Sequence, residues 1–139
     1  MNKIFTLLMI ILGFQLDAQK YEVIAEGQDF KVEKTKLLCT TNLGYEYVYV
    51  ALKFTNLSQE DIVLDFIYEM WYSGECSNCE FTDLGIERSI SIPANSVIEG
   101  DCNNWEYDFL MTLSHSKTDL PHAFKGQLTD LIIGKVQLK

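Results

Sequence analysis

Positive charge is scarce in this sequence: 11 lysine and arginine residues stand against 20 aspartate and glutamate residues, for a formal net charge of −9. Proteins that bind nucleic acid draw much of their affinity from lysine and arginine side chains that displace the counterions of the phosphates. The deficit of cations therefore excludes nucleic acid as the expected partner. It disfavours an anionic membrane surface for the same reason.

Long hydrophobic runs and catalytic signatures are also missing. Beyond the first residues, no stretch approaches the roughly 20 apolar residues that a membrane-spanning helix needs. The sequence has no G-x-S-x-G motif for a nucleophilic serine and no glycine-rich phosphate loop. Its two histidines, His115 and His122, fall in one polar stretch that we expect to be a solvated loop. We therefore expect no enzymatic activity, no cofactor and no membrane span.

The first 18 residues have the layout of a secretory signal peptide. Lys3 supplies a positive start, residues 4–14 form an uncharged and mostly apolar run, and residues 15–18 are a polar segment that ends in the small residue Ala18. The apolar run is too short to span a bilayer. We predict cleavage near Ala18 and release of residues 19–139, as a single domain, to the periplasm or the extracellular space.

Alternation of apolar and polar residues with a period of two dominates residues 19–139, and sustained helical periodicity is hard to find. The first two alternating segments, 21–25 and 30–34, flank a polar turn and predict a hairpin. The other predicted strands cover residues 45–55, 61–72, 84–92, 96–101, 105–113 and 128–138. Seven or eight short strands with frequent turns predict an all-β, antiparallel β-sandwich.

Two segments carry a resemblance to a known class of domain. The stretch VYVALKFTNLSQEDIVL (Val48 to Leu64) and the later stretch SISIPANSVIEG (Ser89 to Gly100) resemble immunoglobulin-like modules of exported bacterial proteins. The order of a cysteine, then C-x-x-C, then EG-x-C is also similar to that of small secreted proteins with no assigned function. The resemblance implies an immunoglobulin-like β-sandwich and specifies no chemistry.

The four cysteines, Cys39, Cys76, Cys79 and Cys102, all fall near predicted strand ends. If successive strands run antiparallel, these ends lie on one side of the sandwich. An even number of cysteines in an exported chain favours two disulfides. Three pairings are possible, and the favoured one joins Cys76 to Cys79 as a local clip and Cys39 to Cys102 as a long-range tie.

Two alternatives use the same sulfurs as thiolates. Four converging thiolates would suit a tetrahedral zinc site, although Cys39 and Cys102 are single ligands far apart in the chain. The C-x-x-C motif would suit a redox dithiol, which needs nearby positive charge to lower the thiol pKa. Glu75 and Glu80 flank the motif instead, so disulfides are the favoured interpretation and we assign no metal ligands.

Aromatic residues mark a candidate binding face. If segments 45–55 and 61–72 form a hairpin, the register places Tyr45 opposite Trp71, Tyr47 opposite Glu69 and Tyr49 opposite Ile67, away from the core. Exposed aromatic surfaces of this kind are typical of interfaces with a protein or glycan partner. The structural alternative is that Tyr45, Tyr47, Tyr49, Ile67 and Trp71 stabilise the sheet as cross-strand pairs.

These observations predict an exported, non-enzymatic β-sandwich module that binds or supports a component of the cell envelope or extracellular space. The alternative hypothesis is a thiol or metal protein that uses Cys39, Cys76, Cys79 and Cys102. The sequence also contains Asn56-Leu57-Ser58, which fits the N-glycosylation pattern. We interpret Asn56 as a turn residue whose side chain bonds nearby backbone.

Overall fold

Two antiparallel β-sheets, packed face to face, make up the protein in the computed structural model, which describes residues 19–79, 86–103, 106–117 and 127–139. The all-β sandwich predicted from the alternation is confirmed, and the described residues form nine strands rather than seven or eight. Their bounds are β1 Glu22–Glu26, β2 Phe30–Thr40, β3 Glu46–Asn56, β4 Ile62–Tyr72, β5 Glu75–Cys76, β6 Ile86–Ile92, β7 Val97–Glu99, β8 Met111–Ser116 and β9 Leu128–Leu138.

The five-stranded sheet has the order β1-β2-β3, and β7 and β8 both pair with the other edge of β3. The predicted N-terminal hairpin is confirmed, because β1 pairs with the first half of β2. In the four-stranded sheet, β4 is central: β9 lies on one side and β5 and β6 lie on the other. Each sheet therefore has one long central strand whose two edges are both paired.

The core lies between the inner faces of the two sheets. On β3 the inward residues are Val50, Leu52 and Phe54, and on β4 they include Leu64 and Phe66. The ring centroids of Phe54 and Phe66 are 5.3 Å apart, so the two central strands pack across the sandwich. Burial of these side chains is the main source of stability, at about 25 cal/mol for each Å² of apolar surface removed from water.

The predicted hairpin between β3 and β4 is wrong. The two strands are consecutive in the chain, but they belong to different sheets. Residues 57–61 carry the chain from one sheet to the other, so the inner faces of β3 and β4 are opposed rather than side by side. The reason is that both strands have a strongly apolar face, and opposing those faces removes both from water at once.

A side chain at the 57–61 turn fixes this crossover. Asn56 is 2% exposed, and its amide nitrogen donates to the backbone oxygens of Glu60 (2.7 Å), Ile92 (3.0 Å) and Pro93 (3.0 Å). Its amide oxygen accepts from the backbone nitrogen and the hydroxyl of Ser58. Asn56 thus ties the β3–β4 turn to the β6–β7 turn, in agreement with its interpretation as a turn residue.

The connection from β7 to β8, which we call the β7–β8 excursion, is hydrogen-bonded at both ends to one residue of β3, Leu52. Gly100 donates to the backbone oxygen of Leu52, and Leu52 donates to the backbone oxygen of Leu110. A Cβ atom at Gly100 would overlap the carbonyl of Leu110, so only glycine fits at this crossing. The backbones at Gly100 and Leu110 are therefore too close together to leave room for a side chain at residue 100.

The strand predicted over residues 105–113 is only partly correct. The observed strand, β8, starts at Met111 and continues to Ser116. Tyr107 and Phe109 precede it in an irregular segment, and Phe109 inserts into the core, where its ring packs edge-on against Phe66 at 5.4 Å. Trp105, which belonged to the same predicted strand, lies outside the described residues.

Candidate functional site

Three tyrosines, spaced two residues apart, lie along the outer face of the five-stranded sheet. Tyr47 and Tyr49 alternate along β3 with the buried Val48 and Val50, so their rings point away from the core. Tyr45 immediately precedes β3, and its backbone nitrogen bonds the hydroxyl of Thr41 in the β2–β3 turn. All three are half-buried, and the rings of Tyr47 and Tyr49 have centroids 6.4 Å apart.

The strands on either side extend this surface with apolar residues. Leu37 of β2 and Leu113 of β8 both lie opposite Tyr49, and both are half-buried. We call Leu37, Tyr45, Tyr47, Tyr49 and Leu113 the tyrosine face. Burial raises the pKa of the Tyr49 phenol, and the neighbouring Tyr47 raises it further. The Tyr49 phenol is therefore neutral at physiological pH, and the tyrosine face contains no acidic or basic side chain although the chain is strongly acidic.

Ile67 and Trp71 do not belong to this face, which corrects the composition of the predicted binding surface. Both residues lie on β4, in the other sheet, where Ile67 is opposite Glu87 and Trp71 is opposite Cys76. Ile67 is only 7% exposed, and the Trp71 indole donates to the Glu69 carboxylate at 3.1 Å. The predicted pairs Tyr45–Trp71, Tyr47–Glu69 and Tyr49–Ile67 are wrong because β3 and β4 are not neighbours in a sheet. Leu37 and Leu113 take their place.

A disulfide lies beside the tyrosine face, because Cys39 is opposite Tyr47 in the pairing of β2 with β3. Cys39 of β2 is bonded to Cys102, which follows β7, with their Cα atoms 5.5 Å apart. Cys39 is 7% exposed and packs with Ala51 and Met111 in a small apolar cluster separate from the main core. The bond therefore holds the start of the β7–β8 excursion down on the outer face of the sheet.

The second disulfide is local and belongs to the other sheet. Cys76 and Cys79 are bonded, with their Cα atoms 5.7 Å apart, in the turn that follows β4. Between them Asn78, at 3% exposure, accepts from the backbone nitrogen of Met70 at 2.9 Å and donates to the backbone oxygen of Tyr68 at 2.8 Å. Asn78 thereby completes the edge of β4 between β5 and β6, a role that the sequence did not indicate.

The strand register locates the two cysteine pairs relative to the two sheets. Cys39 lies opposite Tyr47 near the start of β3, and Cys76 lies opposite Trp71 near the end of β4. The two pairs are thus in different sheets. Among residues 19–79, 86–103, 106–117 and 127–139, no group of three or more His, Cys, Asp or Glu side chains has an arrangement that could hold a metal ion.

His115 does not lie in a loop as expected. It belongs to β8, opposite Val48 of β3, and is half-buried. Its Nδ1 atom lies 3.2 Å from the hydroxyl of the adjacent Ser114, a contact between chain neighbours rather than between distant elements as in a catalytic triad. His122 lies outside the described residues.

A polar groove of about 370 Å³ crosses the outer face of the four-stranded sheet. Two of its charged groups are paired with each other: the Asp65 carboxylate lies 2.8 Å from the Lys139 ammonium and accepts from the Ser89 hydroxyl at 2.6 Å. The bonds from Lys139 and Ser89 hold the pKa of Asp65 below its usual value. Asp65 and Lys139 thus already satisfy each other, so neither offers an unpaired charge to a ligand.

Comparison of the chain with protein-family models, with curated proteins and with solved structures found no match. Within the part of the chain that the structure describes, no helix is long and apolar enough to cross a membrane. The arrangement of the side chains themselves therefore supplies the argument for function.

Proposed function

We propose that the chain is an exported, non-enzymatic β-sandwich module that binds a protein or glycan partner through the tyrosine face. The observation that carries this proposal is the half-exposure of three consecutive outward tyrosines beside Leu37 and Leu113. Tyrosine offers a large, rigid contact area with few rotatable bonds, together with a hydroxyl that bonds at the rim of an interface. A sheet face that served only as a solvated surface would carry more charge.

The two disulfides support the predicted location. Disulfides form and persist in oxidising compartments such as the periplasm and the extracellular space. All four cysteines are bonded in pairs. This arrangement is compatible with export, for which the first 18 residues supply the predicted signal.

The binding proposal is tested by replacing Tyr47 and Tyr49 with serine, separately and together. We expect the double variant to lose at least tenfold in affinity on a glycan array or for a captured protein partner, since buried aromatic anchors dominate interface energies. Ile132→Ser is the matched control, because Ile132 is a 39% exposed apolar residue on the other sheet. Lower stability of the tyrosine variants with unchanged binding would show that the tyrosine face serves packing alone.

The alternative, a thiol or metal protein, is tested on the same secreted material. Intact mass with and without reductant reports the cleavage site and the number of disulfides, and elemental analysis reports metal. Two disulfides, and no zinc in stoichiometric amount, are the results expected for the binding module. Four free thiols with one bound zinc per chain would replace the binding module with the Cys₄ alternative.

A further inference from the structure

A second groove, of about 380 Å³, lies where the segment before β1 runs beside β2. Val50 and Thr35 contribute buried surface to its lining, and Lys20, Lys34, Lys36 and Glu22 contribute charged side chains. The backbone oxygen of Lys20 accepts from the Thr35 hydroxyl at 3.0 Å, which fixes the segment against the strand. The groove is therefore bounded on both sides by ordered backbone.

Lys34 and Lys36 lie where the inward face of β2 passes from the core to solvent. Phe30 and Val32 face inwards and are buried, whereas Lys34 and Lys36 continue the same face of the strand with increasing exposure. Lys36 lies directly opposite Val50 in the register with β3. Lysine is suited to this border, because its aliphatic stem covers apolar surface while its ammonium group stays in water.

The charge around this groove is opposite to that of the whole chain. Three lysines and one carboxylate line the groove, and that carboxylate, on Glu22, is 70% exposed and lies 3.7 Å from the Lys34 nitrogen. In the described residues, Lys20 and Lys36 form no ion pair, although the chain carries a net charge of −9. The polar groove on the other sheet is closer to charge balance, because two carboxylates, Asp65 and Glu87, stand against three cationic side chains in its lining, and Asp65 pairs with Lys139 at 2.8 Å.

We propose that this lysine groove binds a small amphipathic anion, a carboxylate carried on a short alkyl or aryl group. The carboxylate lies between the ammonium groups of Lys20 and Lys36, and the apolar group lies on Val50 and on the stems of Lys34 and Lys36. The volume falls within the range of about 300–1,000 Å³ that is typical of small-molecule sites. The site is distinct from the tyrosine face, so the two proposals stand or fall separately.

The test is a titration of the oxidised, mature chain with sodium octanoate, followed by calorimetry and by amide chemical shifts. We expect binding with shifts at Thr35, Lys36 and Val50, and weakening as sodium chloride is raised, because surface charge interactions are screened by salt. The Lys20→Gln/Lys36→Gln variant should bind octanoate about tenfold more weakly, since each exposed charge contributes a few-fold in affinity. Its melting temperature should match that of the original chain.

Lys135→Gln is the matched control, because Lys135 is an exposed lysine on the other sheet, and it should leave octanoate binding unchanged. Two further probes separate the parts of the ligand: 1-octanol lacks the charge, and inorganic phosphate lacks the apolar group. Both should bind more weakly than octanoate. The proposal is overturned by no octanoate binding up to about 10 mM, by equal binding to the Lys20→Gln/Lys36→Gln variant, or by either probe matching octanoate.

Discussion

Among single residues, Asn56 makes the most concentrated set of bonds in the described part of the fold. The two N–H groups of this buried amide lie within hydrogen-bond distance of three backbone oxygens, so one N–H is shared, and the amide oxygen accepts two bonds from Ser58. Asparagine is suited to this position because its side chain offers two donors and an acceptor within a short reach. A carboxylate of the same size has the acceptors but not the donors.

The first prediction is that Asn56→Asp lowers the free energy of unfolding by about 3 kcal/mol, because it leaves buried carbonyls without a donor and adds a charge beside them. Urea unfolding followed by fluorescence measures the change. Gln59→Glu is a suitable control, since Gln59 is an exposed residue of the same turn and contributes only surface bonds. An equal loss in both variants would assign the effect to negative charge at the turn rather than to the buried amide.

Among the described residues, Tyr68 has the pKa that departs most from its usual value. Its phenol is 2% exposed and hydrogen-bonded to the Thr112 hydroxyl, and burial raises its pKa to about 12. The folded state therefore holds the proton of Tyr68 more tightly than the unfolded state does. The contribution of Tyr68 to stability is complete below pH 10 and is lost as the pH rises from about 10 to about 12.

The second prediction concerns this alkaline range. Absorbance at 295 nm should show one phenol that titrates near pH 12, and Tyr68→Phe should remove that step. The same variant should make the free energy of unfolding less steep between pH 10 and pH 12 than it is in the original chain. If Tyr68→Phe removed a step near pH 10 instead, Tyr68 would ionise as an exposed tyrosine does, and the core around it would be open to water.

On the scale of single elements, the β7–β8 excursion depends on one glycine. Gly100 and Leu110 meet over β3, and the carbonyl of Leu110 occupies the space where a side chain at residue 100 would stand. Gly134, within β9, offers the opposite case, because nothing lies within 4 Å of an added Cβ there. The two positions form a natural pair for a substitution test.

The third prediction is that Gly100→Ala lowers the free energy of unfolding by about 2 kcal/mol, a typical cost of overpacking, whereas Gly134→Ala leaves it within about 0.5 kcal/mol. Thermal unfolding of both variants measures the difference. Amide shifts of Leu52 and Leu110 should change in Gly100→Ala, since the hydrogen bonds at the crossing must move. A neutral result at Gly100 would mean that the excursion can shift away from β3 at little cost.

On the scale of the whole molecule, the two disulfides close loops of very different length, with sequence separations of 63 and 3. The chain-entropy account of a crosslink attributes about 4 kcal/mol to the longer loop and about 2 kcal/mol to the shorter one. The fourth prediction is that Cys39→Ala/Cys102→Ala is less stable than Cys76→Ala/Cys79→Ala, by about 2 kcal/mol in urea unfolding. The opposite order would mean that the Cys76–Cys79 turn, through Asn78, stabilises more of the sheet than its loop length indicates.

The sequence predicted the faces of strands better than their partners. Alternation along β3 correctly directed Tyr47 and Tyr49 outwards and Val50 and Leu52 inwards, because the period depends on the backbone alone. It could not distinguish a β3–β4 hairpin from a crossover between sheets, since both give consecutive alternating segments with a polar turn. Leu37 and Leu113 were therefore not recognised as neighbours of Tyr49, and Ile67 and Trp71 were placed beside it in error.

Alternation also fails where a loop inserts side chains into the core. Tyr107 and Phe109 carry the same period as the strand that follows them, but Phe109 reaches the core from an irregular segment. The lysine groove escaped notice for a related reason. Lys20 and Lys36 are far apart in the sequence, and only the pairing of the N-terminal segment with β2 brings them to one groove.

The Cys39–Cys102 bond joins the first half of the molecule to the second, and strands β3 to β7 lie inside the covalent ring that it closes. A protease that cuts once within residues 40–101 therefore cannot release a fragment, because the bond still connects the two pieces. Tension applied between residues 19 and 139 passes from Cys39 directly to Cys102. While the bond is intact, the central strand of each sheet is shielded from the pull, and the enclosed chain, roughly 200 Å when extended, adds nothing to the reach of the molecule.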